Sequence, residues 1–198
     1  MNWNDWPPTD RKLGRGFSLW REGKLKRALA FFGRALAKDE QQADAWRGQG
    51  CVLWTLGRFD DAAASYRRAV ALDCWNPMHW HNLGLTYRDL ARFDDAIRML
   101  SFAAGLDPAY EPAFNEWANV LVDTGRYHEA LGLYDRALSL DDTRAVVHHN
   151  KGVCLRLMGN VEDAVKSFEA ALQRDPTYQH TLRELERLQP IKSNDSDP

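Results

Sequence analysis

Small, apolar and polar positions along this chain return every 34 residues, five times, without an insertion. Alanines fall at Ala28, Ala62, Ala96, Ala130 and Ala164, and again at Ala35, Ala69, Ala103, Ala137 and Ala171. Between the two series stands a large ring or a leucine: Phe32, Tyr66, Leu100, Tyr134, Phe168. Ahead of both lies a small residue: Gly16, Gly50, Gly84, Ala118, Gly152. A turn recurs as Gly23-Lys24, Gly57-Arg58, Ala91-Arg92, Gly125-Arg126 and Gly159-Asn160. Within one period, Pro77 to Tyr110, the residues Trp80, Leu83, Gly84 and Tyr87 fall on one helical stripe. Ala96, Leu100, Ala103 and Leu106 fall on a second, which Asp107-Pro108 stops. The pattern predicts two antiparallel helices per period, with helix pairs beginning near residues 10, 44, 78, 112 and 146. No such hairpin buries its apolar face alone, so the hairpins must stack. A stack presents a surface, and binding is the function to look for.

The period resembles the tetratricopeptide (TPR) pattern, W-x-x-L-G-x-x-Y followed by A-x-x-x-F, A and P. Trp80, Leu83, Gly84, Tyr87, Ala96, Ala103 and Pro108 match it, with Leu100 in place of the phenylalanine. The resemblance covers residues 9–178 as five repeats, 9–42, 43–76, 77–110, 111–144 and 145–178. It implies an all-α TPR solenoid of five helix-turn-helix repeats in a right-handed superhelix. Lys12 and Arg15 replace apolar residues in the first repeat, as suits an end repeat, while Gln49, His148 and Lys151 are local departures. Leu182, Leu185 and Leu188 alternate with charged residues and predict a capping helix over 179–190. Residues 1–8 read as an extended segment carrying Trp3, Trp6, Pro7 and Pro8, and 191–198 as a disordered tail.

Composition changes this picture little. The net charge of −2 exerts no global pull toward nucleic acid or an anionic membrane. The first repeat is basic and the fourth acidic, which reads as solvated outer faces. No secretory leader or membrane-length apolar run is visible. Three widely spaced cysteines, Cys51, Cys74 and Cys154, argue against a disulfide framework and for a reducing compartment. The expectation is a cytoplasmic protein.

Chemistry-bearing motifs do not emerge. The chain has no glycine-rich phosphate loop, paired-carboxylate motif or nucleophile elbow, so neither enzyme activity nor a cofactor is expected. His148-His149 with Cys154, and His79 with His81, lack a supporting second cluster, and adjacent helical residues diverge by about 100°. No metal site is expected.

The resemblance implies more about the surface. In TPR proteins the first helix of each repeat lines a concave groove. Carried onto this chain, the groove residues are Leu13, Phe17, Trp20, Arg47, Cys51 and Trp54 in the first two repeats. The third supplies His81, Asn82, Leu85, Arg88 and Asp89; the fourth Asn115, Glu116, Asn119, Val122 and Asp123; the fifth His149, Asn150, Val153, Arg156 and Leu157. Asparagines offer donor and acceptor together, so Asn82, Asn115, Asn119 and Asn150 are expected to pair with the backbone of an extended peptide. Trp20 and Trp54 are expected to be partly exposed and to hold an apolar side chain, unless Trp3 or Trp6 covers them. The two-carboxylate clamp that some TPR proteins use on heat-shock chaperones is absent: Arg47 and Asn82 fit it, but Cys51, Pro112 and Glu116 occupy the other places. The reading is thus a non-catalytic adaptor or scaffold for an extended segment of another protein. The alternative is a structural module that self-associates through its terminal helices or residues 1–8.

Overall fold

The structure, a computed structural model, describes residues 13–188. The segment 1–8 with Trp3 and Trp6, Lys12, the end of the expected cap at 189–190, and the tail 191–198 lie outside the described residues. Eleven helices and no strand are found among the described residues. The first helix of each pair is α1 (Gly14–Arg21), α3 (Ala43–Thr55), α5 (Pro77–Asp89), α7 (Glu111–Asp123) or α9 (Ala145–Leu157). The second is α2 (Leu25–Lys38), α4 (Phe59–Leu72), α6 (Phe93–Leu106), α8 (Tyr127–Leu140) or α10 (Val161–Arg174). A final helix, α11, spans Gln179–Leu188. From α2 onward every helix of a kind starts one period after its predecessor, so the expected register holds. In the first pair α1 is described from Gly14, and the expected start near residue 10 lies outside the described residues.

Local chemistry sets these boundaries. Gly23, Gly57, Gly125 and Gly159 end the first helices in the left-handed region, with φ between 71 and 82°. The next N–H then reaches back into the last helical turn, as Arg126 does to the Leu121 carbonyl at 2.8 Å, satisfying the helix terminus. Ala91 takes the same turn at φ 56° without a glycine. The basic residue after three of these turns serves the next helix: Arg58 pairs with Asp61, Arg92 with Asp95 and Arg126 with Glu129, whereas Lys24 pairs with Glu22. Second helices end at an aspartate. The side chains of Asp39, Asp107, Asp141 and Asp175 each accept the N–H two residues on.

The core is the alanine-and-ring ladder that the period predicts. Ala28, Ala62, Ala96, Ala130 and Ala164 are wholly buried between paired helices, as are Phe32, Leu100 and Phe168. The small positions are obligatory where a ring faces them. A Cβ on Gly16 would lie 2.7 Å from the Phe32 ring, and one on Gly50 or Gly152 2.7 Å from Tyr66 or Phe168. A Cβ on Gly48, in the next repeat, would lie 2.2 Å from the same Phe32 ring, so one ring packs closely on two hairpins. Internal contacts divide the chain after Ala113 into two compact bodies. No helix is long and apolar enough to cross a membrane, among the described residues.

Candidate functional site

In the first body the expected groove residues come from α1, α3 and α5, and most are not exposed. Phe17, Trp20, Arg47, Cys51, His81 and Asn82 are all under 9% exposed, and Leu85 is buried too. The expectation of a partly exposed Trp20–Trp54 pair is therefore corrected at Trp20, which is 7% exposed, whereas Trp54 is half-buried. The reason is lateral. Trp20 Nε1 donates to Thr55 Oγ1 at 2.7 Å, and Trp54 Nε1 donates to the Asp89 carboxylate. Each indole thus reaches across to the next first helix, 35 residues on, and binds repeats together instead of waiting for a ligand. Thr55 and Asp89 stand one period apart and so share a repeat position, but register alone does not show that an indole reaches it.

Beneath those rings lies a packed polar layer. Arg47 is buried with its guanidinium 4.7 Å from the Phe17 ring centre and its Nε donating to Asp44 at 2.9 Å. Tyr66 donates to Cys51 Sγ at 3.3 Å, and burial pushes the Cys51 thiol up despite the nearby Arg47. Cys51 is a core residue and not a groove residue. His79 and His81 are held at about 4, chiefly by burial; Arg47 adds to the effect at His79, and the Asn82 amide opposes it at His81. No ring nitrogen of either histidine makes a hydrogen bond of good geometry among the described residues, nor does Asn82 Nδ2. His81 instead lies edge-on to Tyr110, with ring centres 5.5 Å apart. Of the expected groove residues of this body, Trp54 and Arg88, half-buried, and Asp89, exposed, reach the surface.

The second body treats the same helical positions differently. Asn150 Nδ2 donates to Asn115 Oδ1 at 3.1 Å, again across 35 residues. Asn115 and Asn119 each donate to one oxygen of Glu116, at 3.2 and 3.1 Å, and Tyr134 donates to Asn119 Oδ1 at 2.6 Å. Asn115 is buried, whereas Glu116, Asn119, Val122, Asn150 and Val153 are half-buried and Asp123 and Leu157 are exposed. The result is a connected amide–carboxylate patch flanked by aliphatic side chains. Its amides are already oriented, yet each keeps hydrogen-bonding capacity in reserve.

α11 closes the far end. His149 Nδ1 meets Thr181 Oγ1 at 2.9 Å, and its ring packs on Tyr178 with centres 5.2 Å apart. Burial lowers the His149 pKa, with Glu184 opposing. Arg156 Nε lies 2.9 Å from Glu184 Oε2. His149 and Arg156, both half-buried, are therefore engaged by the cap. Leu185 and Leu188 pack beside Leu155, Ala164 and Phe168, covering the last repeat. Glu184 stands one period after Asn150, so the repeat register could have found it although the consensus residues stop at Tyr178. Among the described residues no group of three or more His, Cys, Asp or Glu could hold a metal ion.

This architecture of paired helices on a 34-residue register defines a class, and family comparisons agree with it. Residues 13–75, 80–110 and 111–177 each match a model of the tetratricopeptide repeat. The chain belongs to the TPR family. Its fold is similar to that of TTC0263, a TPR protein of Thermus thermophilus, at 21% identity and a TM-score of 0.77 over 89% of this chain and 96% of that one. It is similar also to PilF of Pseudomonas aeruginosa, at 21% identity and a TM-score of 0.80 over 89% and 81% of the two chains. YrrB, described as a TPR protein with an unusual peptide-binding site, shares 24% identity and a TM-score of 0.69 over 88% and 90%. No curated protein matches the chain.

Proposed function

We propose that this chain is a non-catalytic protein-interaction module whose second body takes an extended segment of another protein on its first-helix face. The observation that carries the reading is the amide patch. Asn119 and Asn150 are half-exposed on consecutive first helices and held in place by Tyr134 and Asn115. An amide fixed by a neighbour loses little further entropy on pairing with a peptide backbone, which favours binding. Val122, Val153 and Leu157 beside it offer apolar contact for alternate side chains of an extended strand. A peptide-binding site in a protein of similar fold, YrrB, supports the same reading. The buried His81, Asn82 and Cys51 are assigned to packing and not to the ligand.

The test is selection of a random-peptide display library on the wild-type chain, followed by affinity measurement on Asn119→Ala/Asn150→Ala. Selected peptides should bind the double variant about tenfold or more weakly, with its thermal unfolding near that of the wild type. Equal binding to both would place the site elsewhere.

A further inference from the structure

A second surface stands out in the first body when each repeat is used as the control for its neighbours. Trp75 is 79% exposed and Phe102 is 54% exposed. At the Trp75 position the other repeats carry Gln41, Ala109, Thr143 and Thr177; at the Phe102 position they carry Arg34, Arg68, Arg136 and Ala170. Neither aromatic is needed to build a repeat. Phe102 lies against Trp80 with ring centres 5.0 Å apart, and Trp80 Nε1 donates to the Cys74 carbonyl at 2.8 Å, which brings the backbone just before Trp75 to the same indole. Leu72, at the end of α4, is also exposed.

The charge beside this patch is unusual too. Four of the five equivalent loop aspartates spend a side-chain oxygen on their own turn, as described above. Asp73 accepts no hydrogen bond among the described residues, and its nearest charged or titratable partner is the buried His79 at 3.7 Å. An available carboxylate beside exposed indole and phenyl faces suits a cation that can pair with the one and stack on the other. Size narrows the occupant further. Two such rings at these exposures offer roughly 300 Å², against the ~800 Å² per partner of a standard stable complex. That area fits a few residues of extended chain and falls short of a folded face or a second copy.

We propose that Trp75, Phe102, Leu72 and the Asp73 carboxylate form a docking surface for a short extended segment of a partner protein, an apolar side chain followed by Lys or Arg. This surface is separate from the amide patch and does not depend on it.

The probe is a fluorescein-labelled peptide, Gly-Ser-Leu-Pro-Leu-Arg-Ser-Gly, read by anisotropy on the full chain, with a control in which Glu replaces Arg. The double variant Trp75→Gln/Phe102→Arg borrows the residues of sister repeats, so it should keep the wild-type unfolding temperature. It should bind the Arg peptide at least tenfold more weakly. Asp73→Asn should bind about threefold more weakly and lose the preference for Arg over Glu, whereas Asn119→Ala/Asn150→Ala should bind as the wild type does. Absence of binding, equal binding to the Trp75/Phe102 variant, or loss confined to the Asn119/Asn150 variant would each overturn the proposal. So would sedimentation showing a dimer that Trp75→Gln/Phe102→Arg dissolves, because the occupant would then be a second copy.

Discussion

The two bodies place different side chains at the same helical positions and obtain different surfaces. In residues 13–113, Trp20, Arg47, His81 and Asn82 at the inner positions of the first helices are buried, and Trp54 and Arg88 are half-buried. In residues 114–188, short amides occupy several of those positions in a shared network, with Asn115 buried and Asn119 and Asn150 half-exposed. Trp20 in the first body and Asn150 in the second both reach the neighbouring first helix, but the indole is covered there and the amide keeps part of its surface. What each side chain meets on the next helix decides which face remains available to a partner.

The sharpest way to break this comparison is to overpack each body. Ala96 and Ala130 are wholly buried at equivalent crossings. Ala96→Trp and Ala130→Trp should each lose about 3 kcal/mol or more in urea unfolding, at the severe end of overpacking. A variant with wild-type stability would contradict the close helix approach in that body.

Acid separates the bodies next. His79 and His81 titrate at about 4 when folded and near 6.5 when unfolded, so the unfolded chain binds protons more readily. Their contribution is complete above pH 6.5 and is lost as pH falls toward 4, on the order of 2 kcal/mol per residue between pH 7 and 5. His81→Phe should be close to neutral at pH 7, since it removes two unpartnered nitrogens, and should flatten the slope. Hydrogen exchange resolved by residue should show the acid effect in 13–113 before 114–188.

Smaller effects sharpen the comparison at single sites. Ala91 and Gly125 hold the same left-handed turn, at φ 56 and 75°. Ala91→Gly should stabilise by about 0.5–1 kcal/mol and Gly125→Ala should cost about 1–2 kcal/mol, both read from thermal midpoints. Tyr134→Phe removes the donor that holds Asn119. It should cost about 1 kcal/mol, because water can reach the half-exposed amide, and should weaken binding of selected peptides several-fold more than its stability cost suggests.

Much of the fold was legible because the period repeats the same physical demand five times. A ring at Phe32 or Phe168 requires a glycine opposite, and a left-handed turn favours glycine, so these residues announce their roles by type and spacing. Asn119 and Asn150 could likewise be placed on one face from spacing alone. What spacing could not show is depth. Trp20, Arg47, Cys51, His81 and Asn82 carry the right register for a groove, but burial depends on what the next helix brings to them.

The sequence by itself determined the helical hairpin, its 34-residue register and the residues at each crossing, since those follow from local periodicity, turn chemistry and small-against-large pairing. Tertiary structure alone decided that Trp20 bonds to Thr55, that α11 engages His149 and Arg156, and that Phe102 packs on Trp80. Those outcomes rest on distances between side chains a full period or most of one apart in sequence. Such distances are set by packing, which no local pattern encodes.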